Sequence, residues 1–373
     1  MPARVDNENT MSKKLLILTG GGDCPGLNAV LRGLVRRGVL EFGYEFVGIL
    51  NGYEGLILPD MTMPLGLAEI RGILHQGGTI LGTSNKANPF SYPVREGGKL
   101  VFKDMSDVAL KRIKALKLDG LVCIGGDGTL TMAHQLAEHG VNVVGVPKTI
   151  DNDLEGTEQT FGFDTAINVI SEAIDRLHTT AEAHQRVMVV EIMGRNAGFL
   201  TLDGGLAGGA DFILIPELPY KVDAIVARLQ EMYESKKKFA IVAISEGAFP
   251  SGGHQAVAQT ADEIPGRGVV RLGGSGKVLA DLLAPHIEAE IRVTVLGHLQ
   301  RGGSPSPCDR VLATMYGSMV LDLVRDGKWD HMVALRDGKL GFASLSMSRK
   351  DRQVDVNGDK VRLAKSIGIS FGV

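Results

Sequence analysis

The chain has 373 residues, more than one compact core usually holds, and its 44% hydrophobic and 22% charged residues are typical of a globular enzyme. A net charge of −3 excludes a global field that would attract nucleic acid or an anionic membrane. The three cysteines are far apart and no apolar stretch approaches the roughly 18 residues of a membrane span, so we expect a cytoplasmic protein without nucleic-acid or membrane partners.

The elements alternate along the chain. Residues 1–12 include Asp6 and Glu8 but no apolar segment, which predicts a disordered tail rather than a signal peptide. Beyond them, short runs rich in Val, Ile and Leu alternate with amphipathic stretches, as expected for parallel strands covered on both faces by helices. The clearest helix should begin near Asp164 and Thr165, which suit the N-cap position. The predicted strands are 15–19, 46–50, 120–124, 141–146, 187–192, 239–245 and 293–297.

Glycine-rich segments follow several of these strands, at the sheet edge where parallel α/β sheets bind ligands. Two familiar phosphate motifs are incomplete. Residues 273–277 resemble a P-loop, but the first glycine and the Ser or Thr after the lysine are both missing. Residues 20–26 resemble a dinucleotide-binding fingerprint, but Pro25 occupies the third glycine position. We predict that neither segment functions in those senses.

Residues 125–129, Gly-Gly-Asp-Gly-Thr, join a predicted buried strand to a helical stretch. Glycines let backbone N–H groups approach phosphate oxygens closely, and the following helix terminus favours anions. A carboxylate in such a loop would repel a phosphate unless a cation lay between them. Asp127 is therefore the candidate Mg²⁺ ligand, direct or through water. The alternative is a tight turn that Asp127 caps.

The segment from Lys148 to Asp153 follows the next predicted strand and combines a lysine, a hydroxyl, an amide and two acids. This combination suits phosphoryl transfer, because a carboxylate can take the proton of the acceptor hydroxyl while cations neutralise the transferred group. The alternative is a polar loop with Asp153 as a cap.

Together these segments resemble the phosphofructokinase family, from about residue 15 to residue 316. Gly-Gly-Asp-Gly-Thr alone also occurs in NAD kinases and lipid kinases, but the order of all the motifs is specific. The resemblance implies magnesium-dependent transfer of a phosphoryl group to the 1-hydroxyl of fructose 6-phosphate, a step of glycolysis. It also implies two three-layer α/β domains with mostly parallel sheets and an active site in the cleft between them. The motifs are residues 19–28, 48–56, 77–82, 125–129, 147–153, 184–186, 191–195 and 297–303.

The resemblance implies a role for each residue that matches a motif. Asp151 would be the general base, and Thr149 and Arg195 would contact the transferred phosphoryl group. Lys148 would be a further catalytic cation. The remaining sugar-phosphate residues, with four cations around the 6-phosphate, would be Ile150, Arg186, Met193, Gly194, Glu246, Arg292, His298, Leu299, Gln300 and Arg301. The donor-binding residues, with Tyr53 beside the adenine and Asp127 at the Mg²⁺, would be Gly22, Tyr53, Asn85, Lys86, Gly126, Asp127, Gly128 and Thr129.

The resemblance also implies how the chain is divided and assembled. The donor domain would comprise residues 13–162 and 300–350, and the fructose 6-phosphate domain residues 163–299 and 351–373. Arg186 and Arg292 would reach the site of a neighbouring subunit, which predicts a homo-oligomer, a tetramer in preference to a dimer.

Two positions point to different phosphoryl donors. Lys148 lies where ATP-dependent members typically have glycine and pyrophosphate-dependent members commonly have lysine, whereas Gly128 matches the ATP-dependent type. Asn85 replaces an arginine that usually holds the donor phosphates, and Lys86 could supply the missing charge. We predict ATP, because Gly128 provides nothing that would repel a third phosphate. The alternatives are a pyrophosphate-dependent enzyme and a non-enzymatic, sugar-phosphate-binding regulatory subunit.

Overall fold

The computed structural model describes residues 12–97, 99–259 and 271–373. The tail predicted for residues 1–12 lies outside these ranges except for Ser12. Within the described ranges, no helix combines the length and the apolar character needed to cross a membrane. The strands are β1 Lys14–Thr19, β2 Glu45–Ile49, β3 Thr62–Leu65, β4 Tyr92–Glu96, β5 Lys99–Lys103, β6 Gly120–Gly125, β7 Val143–Pro147, β8 Val187–Ile192, β9 Phe212–Leu214, β10 Ala240–Ser245, β11 Val257–Gln259, β12 Arg271–Leu272, β13 Ile291–Val295, β14 His331–Arg336 and β15 Lys339–Ser344. The helices are α1 Leu27–Arg37, α2 Glu54–Ile57, α3 Ser106–Ala115, α4 Asp127–Glu138, α5 Phe163–His184, α6 Phe199–Ala207, α7 Val222–Glu234, α8 Ser275–Leu283, α9 Pro307–Arg325 and α10 Asp359–Ser366.

The chain forms two compact units. Unit 1 comprises the residues up to 148 together with 156–158 and 310–349, and unit 2 comprises 149–155, 159–309 and 350–373. Residues 149–155, which the sequence analysis placed with the donor domain, thus belong to unit 2. The division of labour between donor and sugar phosphate stays a prediction.

Unit 1 is built on a seven-stranded sheet in the order β15-β14-β7-β6-β1-β2-β3. Its five central strands run parallel, and β3 and β15 are antiparallel to their neighbours at the edges. The continuous apolar run of β1 explains its central place, since Leu15 to Leu18 are fully buried and need helices on both faces. Parallel order sets the carboxyl ends of β1, β6 and β7 along one edge.

Unit 2 is built on a four-stranded parallel sheet in the order β13-β8-β10-β9. On one face, α7 and α8 pack against Val189 and Val242 in a shared apolar core. On the other, α6 approaches so closely that a Cβ at Gly205 would lie 3.1 Å from that of Ala243. Unit 2 therefore has three layers, and the α/β class with mostly parallel sheets is confirmed.

The predicted strands are all present, with shifts at their ends. The largest concerns 293–297, which in the structure is β13, Ile291–Val295. Gly297 has φ 48°, a left-handed conformation that cannot continue an extended strand, and it begins a short 3₁₀ turn, Gly297–Arg301.

Candidate active site

Two glycine-rich loops of unit 1 meet at the carboxyl ends of β1 and β6. The N–H of Gly20 donates to the carbonyl oxygen of Ile124 (2.9 Å), which ties the loop after β1 to strand β6. Thr129 fills the space beside both loops: a Cβ at Gly20 would lie 2.7 Å from its Oγ1, and one at Gly125 would lie 2.3 Å from its Cβ. Because no side chain fits at either position, both residues must be glycine.

Lys148 connects the same two loops. Its backbone N–H donates to the carbonyl oxygen of Gly125 (2.9 Å), and its ammonium group donates to the carbonyl oxygen of Gly22. The side chain is enclosed, with 3% of the residue exposed. A cation held in a low-dielectric position beside two phosphate-type loops increases their attraction for anions. This placement fits the catalytic cation predicted at Lys148.

Helix α4 begins at Asp127, directly after the second loop. Asp127 and Gly128 are exposed and Gly126 is half-buried, whereas Thr129 is buried. Among the residues that the structure describes, no cluster of three or more His, Cys, Asp or Glu side chains could hold a metal alone. Mg²⁺ commonly binds one or two carboxylates together with substrate phosphates, so a single exposed carboxylate at a helix amino end fits a Mg²⁺ that arrives with its donor.

The other predicted donor residues lie around these loops. Asn85 and Lys86 are exposed, and their segment is joined to the first loop because the Gly21 N–H donates to the carbonyl oxygen of Ser84 (3.1 Å). Tyr53 is only 1% exposed, and its hydroxyl donates to the carbonyl oxygen of Thr129 (2.8 Å). The ring of Tyr53, predicted beside an adenine, thus lies in the core and its hydroxyl supports the loop.

In unit 2, the segment that follows β7 is held in a tight set of hydrogen bonds. Thr149 Oγ1 accepts the N–H of Asp151 (3.1 Å), and the carbonyl oxygen of Thr149 accepts the hydroxyl of Thr160 (2.7 Å). Asn152 adopts a left-handed conformation, with φ 54°, and its Oδ1 accepts the N–H of Thr160 (2.9 Å). Ile150 is buried. Asp151 therefore projects from a backbone that is fixed on both sides.

A second loop of unit 2, from Met193 to Arg195, follows β8. Gly194 has φ 132°, its carbonyl oxygen accepts the hydroxyl of Ser245, and a Cβ there would lie 2.8 Å from the Ser245 oxygen. The Met193 N–H donates to Oε1 of the buried Gln300 (3.3 Å), and Gln255 Nε2 donates to the carbonyl oxygen of Arg195 (3.1 Å). These bonds fix the turn that carries the predicted Arg195.

Glu246 follows β10 and lies in the same carboxylate-rich part of unit 2. Burial, together with the negative charges of Asp151 and Glu191, raises its pKa from the ordinary 4.5 to about 7. Hydrogen bonding to the Gly194 backbone and the charge of Arg301 act in the opposite direction. Glu246, Asp151 and Arg301, which lie far apart in sequence, are thus electrostatic neighbours, as the predicted sugar site requires.

The predicted 6-phosphate cations fall into two groups. Arg186 and Arg292 both pair with the carboxylate of Glu290. The guanidinium of Arg186, with that of Arg292, holds the pKa of Glu290 below its ordinary value. His298 and Arg301 lie on the 3₁₀ turn after β13, where His298 and Leu299 are exposed.

The P-loop-like segment at the start of α8 already has an anion. Glu191, which is 4% exposed, accepts the N–H groups of Gly274 (3.0 Å) and Gly276 (2.9 Å) through its two carboxylate oxygens. A carboxylate at a helix amino end satisfies donors that a phosphate would otherwise bind. The prediction that this segment does not act as a P-loop thus has a physical reason.

Comparison with known proteins decides the family. The family profile described as Phosphofructokinase matches residues 14–324. The chain belongs to the phosphofructokinase family. It is 50% identical over 362 residues to ATP-dependent 6-phosphofructokinase 2 of Clostridium perfringens, which covers 96% of this chain and 98% of that enzyme.

Relatives in the phosphofructokinase family differ in their named donor. Over 331 residues the chain is 49% identical to the pyrophosphate–fructose 6-phosphate 1-phosphotransferase of Amycolatopsis mediterranei, covering 88% of this chain and 92% of that enzyme. Among solved structures, phosphofructokinase from Pichia pastoris in the T-state matches with a TM-score of 0.76 and 30% identity. That match covers 92% of this chain, which spans 36% of the Pichia chain.

The sequence analysis missed residues that support the phosphofructokinase site without matching a family motif. Ser245 and Gln255 hold the Met193–Arg195 loop through its carbonyl oxygens, and Glu290 holds two predicted phosphate cations. Glu290 had one sequence signal, because residues two apart in an extended segment share a face and Arg292 follows at that spacing. Ser245 and Gln255 had no such signal, because they donate to backbone carbonyl oxygens, which every residue type has.

Proposed function

We propose that this chain is a cytoplasmic 6-phosphofructokinase that transfers the γ-phosphoryl group of ATP to the 1-hydroxyl of fructose 6-phosphate in glycolysis. The similarity over nearly the whole chain to enzymes named ATP-dependent 6-phosphofructokinase carries the proposal. The loops at Gly125–Thr129 and at Thr149–Asp151 support it, because each supplies one half of the chemistry.

The proposed reaction is an in-line displacement. Asp151 accepts the proton of the 1-hydroxyl while that oxygen forms a bond to the γ-phosphorus, and the bond from the phosphorus to the leaving oxygen of ADP breaks. Thr149 and Arg195 stabilise the charge on the transferred group, and Lys148 stabilises the donor phosphates. The buried Gln300 and the Ser245 hydroxyl keep the loop of Arg195 in place.

Mg²⁺ is the proposed cofactor, with Asp127 as its protein ligand. When bound, Mg²⁺ neutralises the charge of the donor phosphates. Asp127, in the first turn of α4, would hold the cation, whose charge would offset the repulsion between the carboxylate and a donor phosphate.

ATP is the proposed donor, because the space beside Gly128 is open. A Cβ at Gly128 would meet no atom within 4 Å, so neither bulk nor charge opposes a third phosphate there. Pyrophosphate is the second candidate, because the buried Lys148 beside the glycine loops could hold a small donor that lacks adenosine. Overall similarity does not separate the two donors, since relatives of both kinds are about equally similar to the chain.

A coupled assay of the purified protein with fructose 6-phosphate, Mg²⁺ and either ATP or pyrophosphate tests the proposal. We expect turnover with ATP. Turnover with pyrophosphate and none with ATP would overturn the donor assignment alone. Absence of turnover with both donors, in a protein that is folded by circular dichroism, would overturn the function.

We further propose a homo-oligomer, a tetramer in preference to a dimer, in which Arg186 and Arg292 complete the 6-phosphate pocket of a neighbouring subunit. Mixing Arg292→Ala chains with Asp151→Asn chains should then restore part of the activity, because a hybrid site can contain both intact residues. Mass-tagged chains show whether subunits exchange. Exchange without any gain of activity would contradict a shared site.

A further inference from the structure

A short segment near the carboxyl end of unit 2, residues 350–354, runs alongside the loop that carries Asp151. We call it the C-terminal strap. Asp351 forms an antiparallel bridge with Leu154. The Arg352 N–H donates to the carbonyl oxygen of Asp153 (2.6 Å), and its Nη2 donates to the carbonyl oxygen of Asn152 (2.8 Å). The strap therefore binds the backbone directly after Asp151.

The same strap binds the region that follows Arg195. Oδ2 of Asp351 accepts a hydrogen bond from Nδ2 of Asn196 (2.8 Å). The guanidinium carbon of Arg352 lies 4.7 Å from the centroid of the Phe199 ring. The guanidinium thus holds a carbonyl of one loop through a hydrogen bond and an aromatic ring near the other loop through a cation–π contact.

A third residue joins the strap to the Arg195 loop. Oε1 of Glu217 accepts the N–H of Gly198 (3.0 Å) and the N–H of Val354 (2.9 Å). Asp351, Arg352 and this carboxylate together link the two loops through the strap. All five residues of the strap, 350–354, lie beyond the segment matched by the family profile. The strap touches neither Asp151 nor Arg195 through the bonds described, but it fixes the residues next to both.

We propose that the C-terminal strap is a positioning element for phosphoryl transfer, with Arg352 and Asp351 as its positioning residues. The proposal rests on the proposed function of Asp151 and Arg195. Phosphoryl transfer depends on the alignment of the base and the charge-stabilising groups, because the protein does little covalent chemistry. A left-handed Asn152 directly after the base makes this alignment dependent on outside support, since a non-glycine residue adopts that conformation at a cost.

Steady-state kinetics of Arg352→Ala test the proposal against a matched control. Arg362→Ala removes the same side chain from the same end of the chain, where it pairs with Asp359 in α10. We expect Arg352→Ala to lower kcat by about 10–100-fold with a small change in the KM of the donor, and Arg362→Ala to keep kcat near wild type. Equal kcat values for the two variants would overturn the proposal.

A double-mutant cycle separates positioning from general stability. If Arg352 acts through Asp151, the loss from Arg352→Ala should largely disappear in an Asp151→Asn background, where the base is already absent. A fully additive loss would contradict positioning. Arg352→Lys keeps the charge but not the planar donor fork, so its kcat should lie between those of wild type and Arg352→Ala. The lysine variant replaces the alanine variant in the test if the latter does not fold.

Hydrogen exchange gives a readout that does not depend on turnover. Amides of residues 149–160 should exchange faster in Arg352→Ala than in Arg362→Ala or wild type, because the strap no longer restrains their loop. Unchanged exchange would overturn the strap proposal even in an active enzyme. Faster exchange in a protein that uses neither donor would uphold the restraint and reject the proposed function.

Discussion

The predicted donor loops of unit 1 and the predicted sugar-phosphate loops of unit 2 follow parallel strands in the same way, yet they are shaped by different forces. In unit 1, the contact of Gly20 and Gly125 with Thr129 leaves no room for a single extra carbon. In unit 2, the region around Glu246 gathers the charges of Asp151 and Arg301 in partly buried surroundings. Volume limits the first region at Gly20 and Gly125, and electrostatics limits the second around Glu246.

The two regions should therefore tolerate different substitutions. A backbone-lined loop should lose its function when a methyl group is added at a tightly packed glycine. A remote charge should have little effect on it. A charge-lined loop should keep its function when a side chain changes shape but keeps its charge. It should lose function when a charge is removed or a proton is gained. Matched substitutions in the two regions can therefore test this contrast.

The largest effect should come from removing the charge of Asp151. Asp151→Asn keeps the size of the side chain but cannot accept the proton of the 1-hydroxyl, so kcat should fall by about 10²–10⁴-fold with a modest change in fructose 6-phosphate binding. Stopped assays with both donors measure kcat, and calorimetry measures binding. Asp153→Asn provides the comparison from the same loop; a larger loss there than at Asp151 would reverse the assignment.

The central strands could be predicted because burial on both faces gives continuous apolar runs. β1, β6, β8 and β10 are of this kind, and all four lie within one or two residues of their predicted bounds. Strands β14 and β15 were not predicted. The apolar run of β14 is only four residues long, Met332 to Leu335, and β15 lies at the edge of the sheet, where its residues are largely exposed or half-buried. Pairing, rather than composition, makes β15 a strand.

The candidate site was predictable in unequal parts. Physical reasoning on the residues alone indicated Asp127 and the lysine and acids of 148–153, because glycine loops and acid–hydroxyl pairs have a direct chemical meaning. Glu246 and Arg301 came only from the resemblance, since their neighbourhood depends on tertiary structure. The strap was not predicted by either route, because Arg352 binds backbone carbonyl oxygens that every residue type possesses.

The next largest effect should come from adding one carbon to the donor loops. A Cβ at Gly125 would lie 2.3 Å from Thr129, whereas one at Gly128 would meet no atom within 4 Å. Gly125→Ala should therefore lower the free energy of unfolding by about 1–3 kcal/mol and weaken donor binding. Gly128→Ala should be neutral or stabilising in urea unfolding, since alanine favours the helix. Equal unfolding midpoints for the two variants would refute the volume argument.

A charge introduced into the volume-limited region should change its donor. Gly128→Asp places a carboxylate in open space beside Asp127, where it would repel the extra phosphate of ATP more than it repels pyrophosphate. The ratio of kcat/KM for ATP to that for pyrophosphate should fall by about tenfold or more. Gly128→Asn adds the same bulk without charge; a fall of the same size in this variant would attribute the change to volume instead.

The smallest effect should be a pH dependence that belongs to the charge-limited region. The pKa of Glu246 in the folded protein, about 7, lies above its ordinary 4.5, so the folded state holds this proton more tightly than the unfolded state. The contribution to stability is therefore full below the ordinary value and is lost as pH rises toward 7, with a slope of at most about 1.4 kcal/mol per pH unit. Glu246→Gln should flatten this slope in urea unfolding between pH 5 and 7. The pKa of Glu290 is shifted in the opposite direction, because this carboxylate accepts a hydrogen bond from Arg186. Its contribution to stability is constant above the ordinary pKa and is lost only at more acidic pH, so Glu290→Gln should leave the slope between pH 5 and 7 intact. An undiminished slope in Glu246→Gln would mean that the pKa of Glu246 is not raised in the folded protein, and the contrast between the two regions would then rest on volume alone.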